Sequence, residues 1–186
     1  MKARNSVSVT LTATFAAVYA VGVYFLTPIS FLPFQVRVAD ALLPLAMLFG
    51  WPAIVGLSIG AFVANFFGPL GVVDIVGGAL ANFLATFLAW KLFRNRSRYW
   101  QLMGVAEEIA AVTLIVGTYL SYVLAQPLLL VWLGVLSGSI IAIGILGSAL
   151  LFALSTNRMV TILRSHRFPL GELASEKGDR DRTLQQ

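Results

Sequence analysis

Five polar side chains stand inside one apolar block. From Phe34 to Ala89 the sequence is almost wholly hydrophobic, yet it carries Arg37, Asp40, Asn65, Asp74 and Asn82. A charge held in the middle of a bilayer costs about 2.5–3.5 kcal/mol on insertion scales, so a block that keeps several is expected to use them. Arg37 and Asp40 lie three residues apart and can meet at the start of one helix. The plainer alternative is a helix cap, with Asp40 at the N-terminus and Arg37 neutralising it. Asp74, Gly78, Ala81, Asn82 and Ala85 share a helical face by their spacing, and Asn82 falls ~12 Å below Asp74. Here too a capping role for Asp74 and a helix-bridging role for Asn82 are the alternatives. Further along come Tyr119, Tyr122 and Trp132, with Ser137 and Ser139 deeper. Carboxylates accept N–H donors, amides do both, and aromatic rings offer a face to stack on. The set suits a flat, polar, nitrogen-rich ligand.

Chemistry of other kinds is missing from the sequence. It has no phosphate loop of the G-x-x-x-x-G-K-[ST] type, no G-x-S-x-G and no H-E-x-x-H. Cysteine is absent and the one histidine, His166, sits in a charged tail, so no metal or cofactor site is expected. Glu107 and Glu108 form the one candidate catalytic pair, but adjacent helical residues point about 100° apart. Snorkelling toward the basic loop at Arg94, Arg96 and Arg98 accounts for them more simply. The expected activity is binding, not catalysis.

These residues need a frame, and composition names it. Of the 186 residues, 59% are hydrophobic and 11% charged, far below the roughly 25% charged of a soluble domain. The chain reads as an all-α, polytopic membrane protein. Six hydrophobic helices are expected, at about Val7–Leu26, Val38–Gly50, Trp51–Phe67, Val72–Phe93, Gln101–Leu124 and Leu128–Leu154. A signal peptide is the competing reading of the first run, but membrane spans follow it at once. Pro28–Val36 reads as an outer loop, Gly68-Pro69-Leu70-Gly71 as a turn, and Pro44 is placed near the first turn of the second helix. Residues 1–157 form the membrane domain, and 158–186 a charged, partly disordered tail. With both termini in the cytoplasm of a plasma-membrane protein, every Lys and Arg except Arg37 falls on the inner side, as the positive-inside rule requires. The net charge of +5 thus reports topology rather than nucleic acid. Arg37, Asp40, Asn65 and Asp74 then lie toward the outer face.

Small residues recur every fourth position: Gly56, Gly60 and Ala64; Ala81, Ala85 and Ala89; Gly134, Gly138 and Ala142. Such stripes let helix backbones approach closely, and these three are expected to pack inside the bundle. The first helix carries two, Ala13 with Ala17 and Ala16 with Ala20. That is one more than a single neighbour needs, which leaves a face for a second protein.

Two stretches, FQVRVADALLPL and ANFFGPLGVVDIVGGALANFLA, resemble the QueT family. TLIVGTYLSYVL followed by Gln126-Pro127, and GVLSGSIIAIGILGSALL, extend the similarity over about residues 8–155. Members are substrate-binding membrane subunits (S components) of energy-coupling-factor transporters, proposed to take up queuosine precursors. The resemblance implies a six-helix fold with an outward pocket at Arg37, Asp40, Asn65 and Asp74. It implies docking of a transmembrane coupling subunit on Ala13, Ala16, Ala17 and Ala20, and energy from two partner ATPase subunits. Three positions depart from the family pattern: Asp40 in place of Glu, Ser139 in place of Glu, and Val112 in place of Asn. They bear on which heterocycle is bound, and another vitamin S component on the same fold is the alternative. A structural or regulatory membrane protein without a ligand is the remaining one.

Overall fold

The computed structural model describes residues 2–26, 36–94 and 96–156, with side chains from Ser6 onward. The tail with His166, and all of the Pro28–Val36 loop but its last residue, lie outside the described residues. Six helical segments follow one another, with no strand among the described residues. They are α1 (Lys2–Phe25), α2 (Val38–Phe49), α3 (Trp51–Phe66), α4 (Val72–Phe93), α5 (Arg98–Leu124) and α6 (Leu128–Leu154).

Four of these, α1, α4, α5 and α6, are long and apolar enough to cross a membrane. The other two, α2 and α3, are shorter apolar helices, so the six expected helices are all present, four of them long and two short. At ~1.5 Å per residue the 16-residue α3 reaches about 24 Å, less than the ~30 Å hydrocarbon core. The shortness of α2 has a local cause. Val38–Leu45 is a 3-10 helix, and only Ala46–Phe49 is α-helical. Pro44 lies in the interior of this 3-10 segment and not in its first turn as expected. Its ring has no N–H and would clash with the carbonyl four residues back in an α-helix, which disfavours α-helical winding over this stretch.

Because α2 need not face lipid, it can be short. It touches all five other helices, and apart from Val38 and Leu42 every residue from Arg37 to Phe49 is buried. Around it, α1 packs on α3, α3 on α4, α4 on α5 and α5 on α6. Where α6 meets α2 it is π-helical, over Ile140–Gly147, and a methyl group added at Gly147 would lie 2.9 Å from the Pro44 ring. A chain reversal at Gly50 joins α2 to α3. Its φ of 64° is left-handed, and the Trp90 indole nitrogen lies 3.0 Å from where a Cβ would be.

The small-residue stripes do what their spacing implies. A Cβ on Gly56 or Gly60 would stand 2.6 Å from the Thr12 carbonyl or 2.8 Å from the Ala16 carbonyl, so α1 and α3 touch backbone to backbone. Ala81, Ala85 and Ala89 are completely buried, as are nearly all of Gly134, Gly138 and Ala142. On α1 the two alanine rows part company. Ala16 and Ala20 turn toward the bundle, half-buried, while Ala13 and Ala17 are exposed.

Candidate ligand-binding site

Arg37 closes the N-terminus of α2 and is buried, together with Asp40 one 3-10 turn later. Neither Asp40 nor Asp74 uses its carboxylate as a helix cap, although both stand in first turns. The capping alternative therefore does not describe this structure. Asp40 instead accepts a hydrogen bond at 2.5 Å from the hydroxyl of Tyr19 on α1. Asp74 accepts one at 2.8 Å from Tyr119 on α5. The Arg37 guanidinium is within electrostatic reach of both carboxylates and both tyrosines. One cation thus lies within electrostatic reach of two tyrosine–aspartate pairs drawn from four different helices.

The second pair is held by a local arrangement in α4. Gly77 and Gly78 leave room for the Tyr119 ring, 2.8 Å from a Cβ at Gly77, and for the Asn65 amide, 2.3 Å from a Cβ at Gly78. Asn65 donates from Nδ2 to the Asp74 carbonyl at 2.8 Å, tying the end of α3 to the start of α4. A turn of α4 further in, Asn82 reaches the Leu57 carbonyl of α3 at 3.4 Å, and Thr86 donates to the Asn82 carbonyl at 2.6 Å. The bridging role weighed for Asn82 is therefore present, and its side chain also faces a cavity.

That cavity is lined by Arg37, Asp40, Asn82, Val112, Val116, Val135 and Ser139. It encloses about 310 Å³ of space between atoms, open solvent included. Its free interior is narrow, on the scale of one water. A ring-sized molecule requires the lining to part. Val112 and Ser139 both face this space.

Of the expected site residues, Arg37, Asp40, Asn82 and Ser139 meet at the cavity, and Asn65, Asp74 and Tyr119 form the adjoining cluster. The other three are elsewhere. Tyr122 is 85% exposed and points out of the bundle. Ser137 is exposed and returns its hydroxyl to the Gly134 carbonyl at 2.9 Å. Trp132 lies on Gly117, whose Cβ would stand 2.5 Å from its ring, and donates to Thr118 at 3.2 Å. It joins α5 to α6 rather than facing the cavity. Ser137 and Ser139, two positions apart in sequence, thus differ in fate by helical phase.

Two residues of this region escaped the sequence reading. Tyr19 is completely buried; its signal was the row Phe15, Tyr19, Val23, which places one hydroxyl on an otherwise apolar inward face. Glu108 was expected to snorkel beside Glu107. It is instead 0% exposed, and neither of its carboxylate oxygens has a hydrogen-bond partner among the described residues. Adjacent positions on α5 face different surroundings: Glu107 stays half-buried while Glu108 turns into the core.

Among the described residues no group of three or more His, Cys, Asp or Glu could hold a metal ion. No curated protein and no solved structure matches the chain. Residues 9–156 match a family described as "QueT transporter", which takes in α1 from its second turn and the whole of α2 to α6. A match that spans the bundle and its buried polar centre, in a multi-pass membrane protein, establishes that the chain belongs to the QueT transporter family.

Proposed function

We propose that the chain is the substrate-capture subunit of an energy-coupling-factor transporter, binding a queuosine precursor of the deazaguanine type from outside the cell. The observation that carries this reading is the buried Arg37 within electrostatic reach of Asp40 and Asp74, at a cavity also lined by Asp40, Asn82 and Ser139. A purine-like edge offers N–H donors to carboxylates and a carbonyl to a guanidinium, a pattern these groups complement. Placing both termini in the cytoplasm, as the basic residues favour, opens the Arg37 end outward. The sequence has no nucleotide-binding loop, so ATP is hydrolysed by two partner subunits. Ala13 and Ala17, exposed on α1, offer the transmembrane coupling subunit a close approach. Capture and release need two states of different affinity, and docking on α1 favours the weaker-binding one.

Val112 and Ser139 at the cavity support a second reading within the same class, an S component for a different heterocycle. One experiment separates them. The purified protein is melted alone and with queuine, the two pre-queuosine deazaguanines, guanine, riboflavin, thiamin and biotin. A ligand at a hundred times its Kd stabilises by ~2.7 kcal/mol. A shift with deazaguanines alone supports the proposal. A shift with another vitamin moves the substrate and keeps the class. No shift with any compound refutes capture of this set and favours a structural role.

A further inference from the structure

The buried charges beside the cavity do not balance. Among the described residues, Arg37 is the one buried cation, whereas Asp40, Asp74 and Glu108 are three buried carboxyl groups. Two of the three have partners: Asp40 has Tyr19 and Arg37, and Asp74 has Tyr119 and Arg37. Glu108 has none among the described residues, and its charged neighbours within reach, Asp40 and Glu107, are of the same sign. A carboxyl group at such a depth is expensive to keep without a counterpart.

Its position ties it to the cavity. Glu108, Val112 and Val116 succeed one another at four-residue intervals on the inner face of α5, and the two valines line the cavity. Glu108 therefore continues that lining about 6 Å deeper. One turn further still, Gly104 meets Met47 of α2, which closes the interior at that end. No group of three or more His, Cys, Asp or Glu that could hold a metal ion exists among the described residues. An organic molecule that carries a cationic group past Val112 supplies the counterpart that Glu108 lacks among the described residues.

We infer that Glu108 is the floor of the ligand site and that the ligand is an organic cation, carrying a protonated amine on its inward end. This inference rests on the capture reading and narrows its substrate class. The flat part of the ligand lies at Arg37, Asp40 and Asn82, and the ammonium group reaches past Val112 to Glu108. A neutral heterocycle of the same shape leaves Glu108 as it is in the empty site and gains nothing from it.

The test compares twins that differ in that charge. Binding of 7-aminomethyl-7-deazaguanine and 7-cyano-7-deazaguanine is measured on the wild-type protein and on Glu108→Gln, which keeps the shape of the side chain. The expected result is at least tenfold tighter binding of the aminomethyl compound by wild type, and a ratio near unity for Glu108→Gln. Equal binding by wild type, preference for the cyano compound, or a preference that survives in Glu108→Gln overturns the inference and leaves the capture reading standing. If neither deazaguanine binds, that substrate assignment fails separately. The charge inference is then read from melting shifts with aminomethyl and hydroxymethyl twins built on pyrimidine and pteridine rings. A larger shift for an amine than for its neutral twin, lost in Glu108→Gln, upholds it, and any other pattern overturns it. The wild-type comparison stands even if the variant fails to fold.

Discussion

Gly60→Ala is expected to weaken ligand binding through a hydrogen bond it does not make. The added methyl group would stand 2.8 Å from both the Ala16 carbonyl and the Tyr19 Cβ. Restoring a contact of 3.4 Å moves α1 away from α3 by about 0.6 Å. The Tyr19–Asp40 hydrogen bond, 2.5 Å long, then stretches to about 3.1 Å, past the 2.5–3.0 Å range of O–H···O bonds. Overpacking costs ~1–3 kcal/mol of stability. Losing a hydrogen bond to a charged group costs ~1.5–3 kcal/mol, or roughly tenfold to a hundredfold in affinity if Asp40 must be held in place to bind. Tyr19→Phe removes the same bond without moving a helix. The assay is a double-mutant cycle on the purified protein, titrated with whichever panel compound raises its melting temperature most. Each single variant should bind ~10- to 100-fold more weakly, and the double variant no more weakly than the worse of the two. Losses that multiply in the double variant refute this route, because they place the effect of Gly60→Ala somewhere other than Tyr19.

Three further outcomes are expected. Gly78→Ala puts a methyl group 2.3 Å from the Asn65 amide nitrogen, so it should break the Asn65–Asp74 link and lower stability by ~1–3 kcal/mol; an unchanged melting temperature contradicts it. Ala17→Trp, on the exposed face of α1, should abolish uptake in cells that hold the partner subunits while ligand binding persists, whereas Ala16→Trp, packed toward Gly60, should lower the melting temperature itself. Uptake at the wild-type rate by Ala17→Trp removes Ala17 from the docking face. Tyr122→Ala and Trp132→Phe should leave ligand affinity within about twofold, since both side chains lie away from the cavity, and Trp132→Phe should cost ~0.5–1.5 kcal/mol of stability for its lost hydrogen bond to Thr118; a tenfold loss of affinity in either returns that aromatic to the site.

The sequence by itself determined the membrane class, the order of the helices and most of their ends, because a bilayer forces long apolar runs and turn residues stop them. It also determined that Arg37, Asp40, Asn65, Asp74 and Asn82 were out of place in such runs, since their cost in lipid is a property of residue type. Which of them meet was another matter. Tyr19 and Asp40 are 21 residues apart, and Tyr119 and Asp74 are 45 apart; no local period links them. The buried course of α2 and its 3-10 winding depend on five neighbours and on one proline ring, so its length alone suggested an ordinary span. Helical phase decided the rest. A rotation of about 100° per residue sends Glu108 into the core and leaves Glu107 half-buried, and turns Ser139 to the cavity while Ser137 faces out. Sequence lists such neighbours side by side, and only the packing of the helices around α2 says which of each pair faces inward.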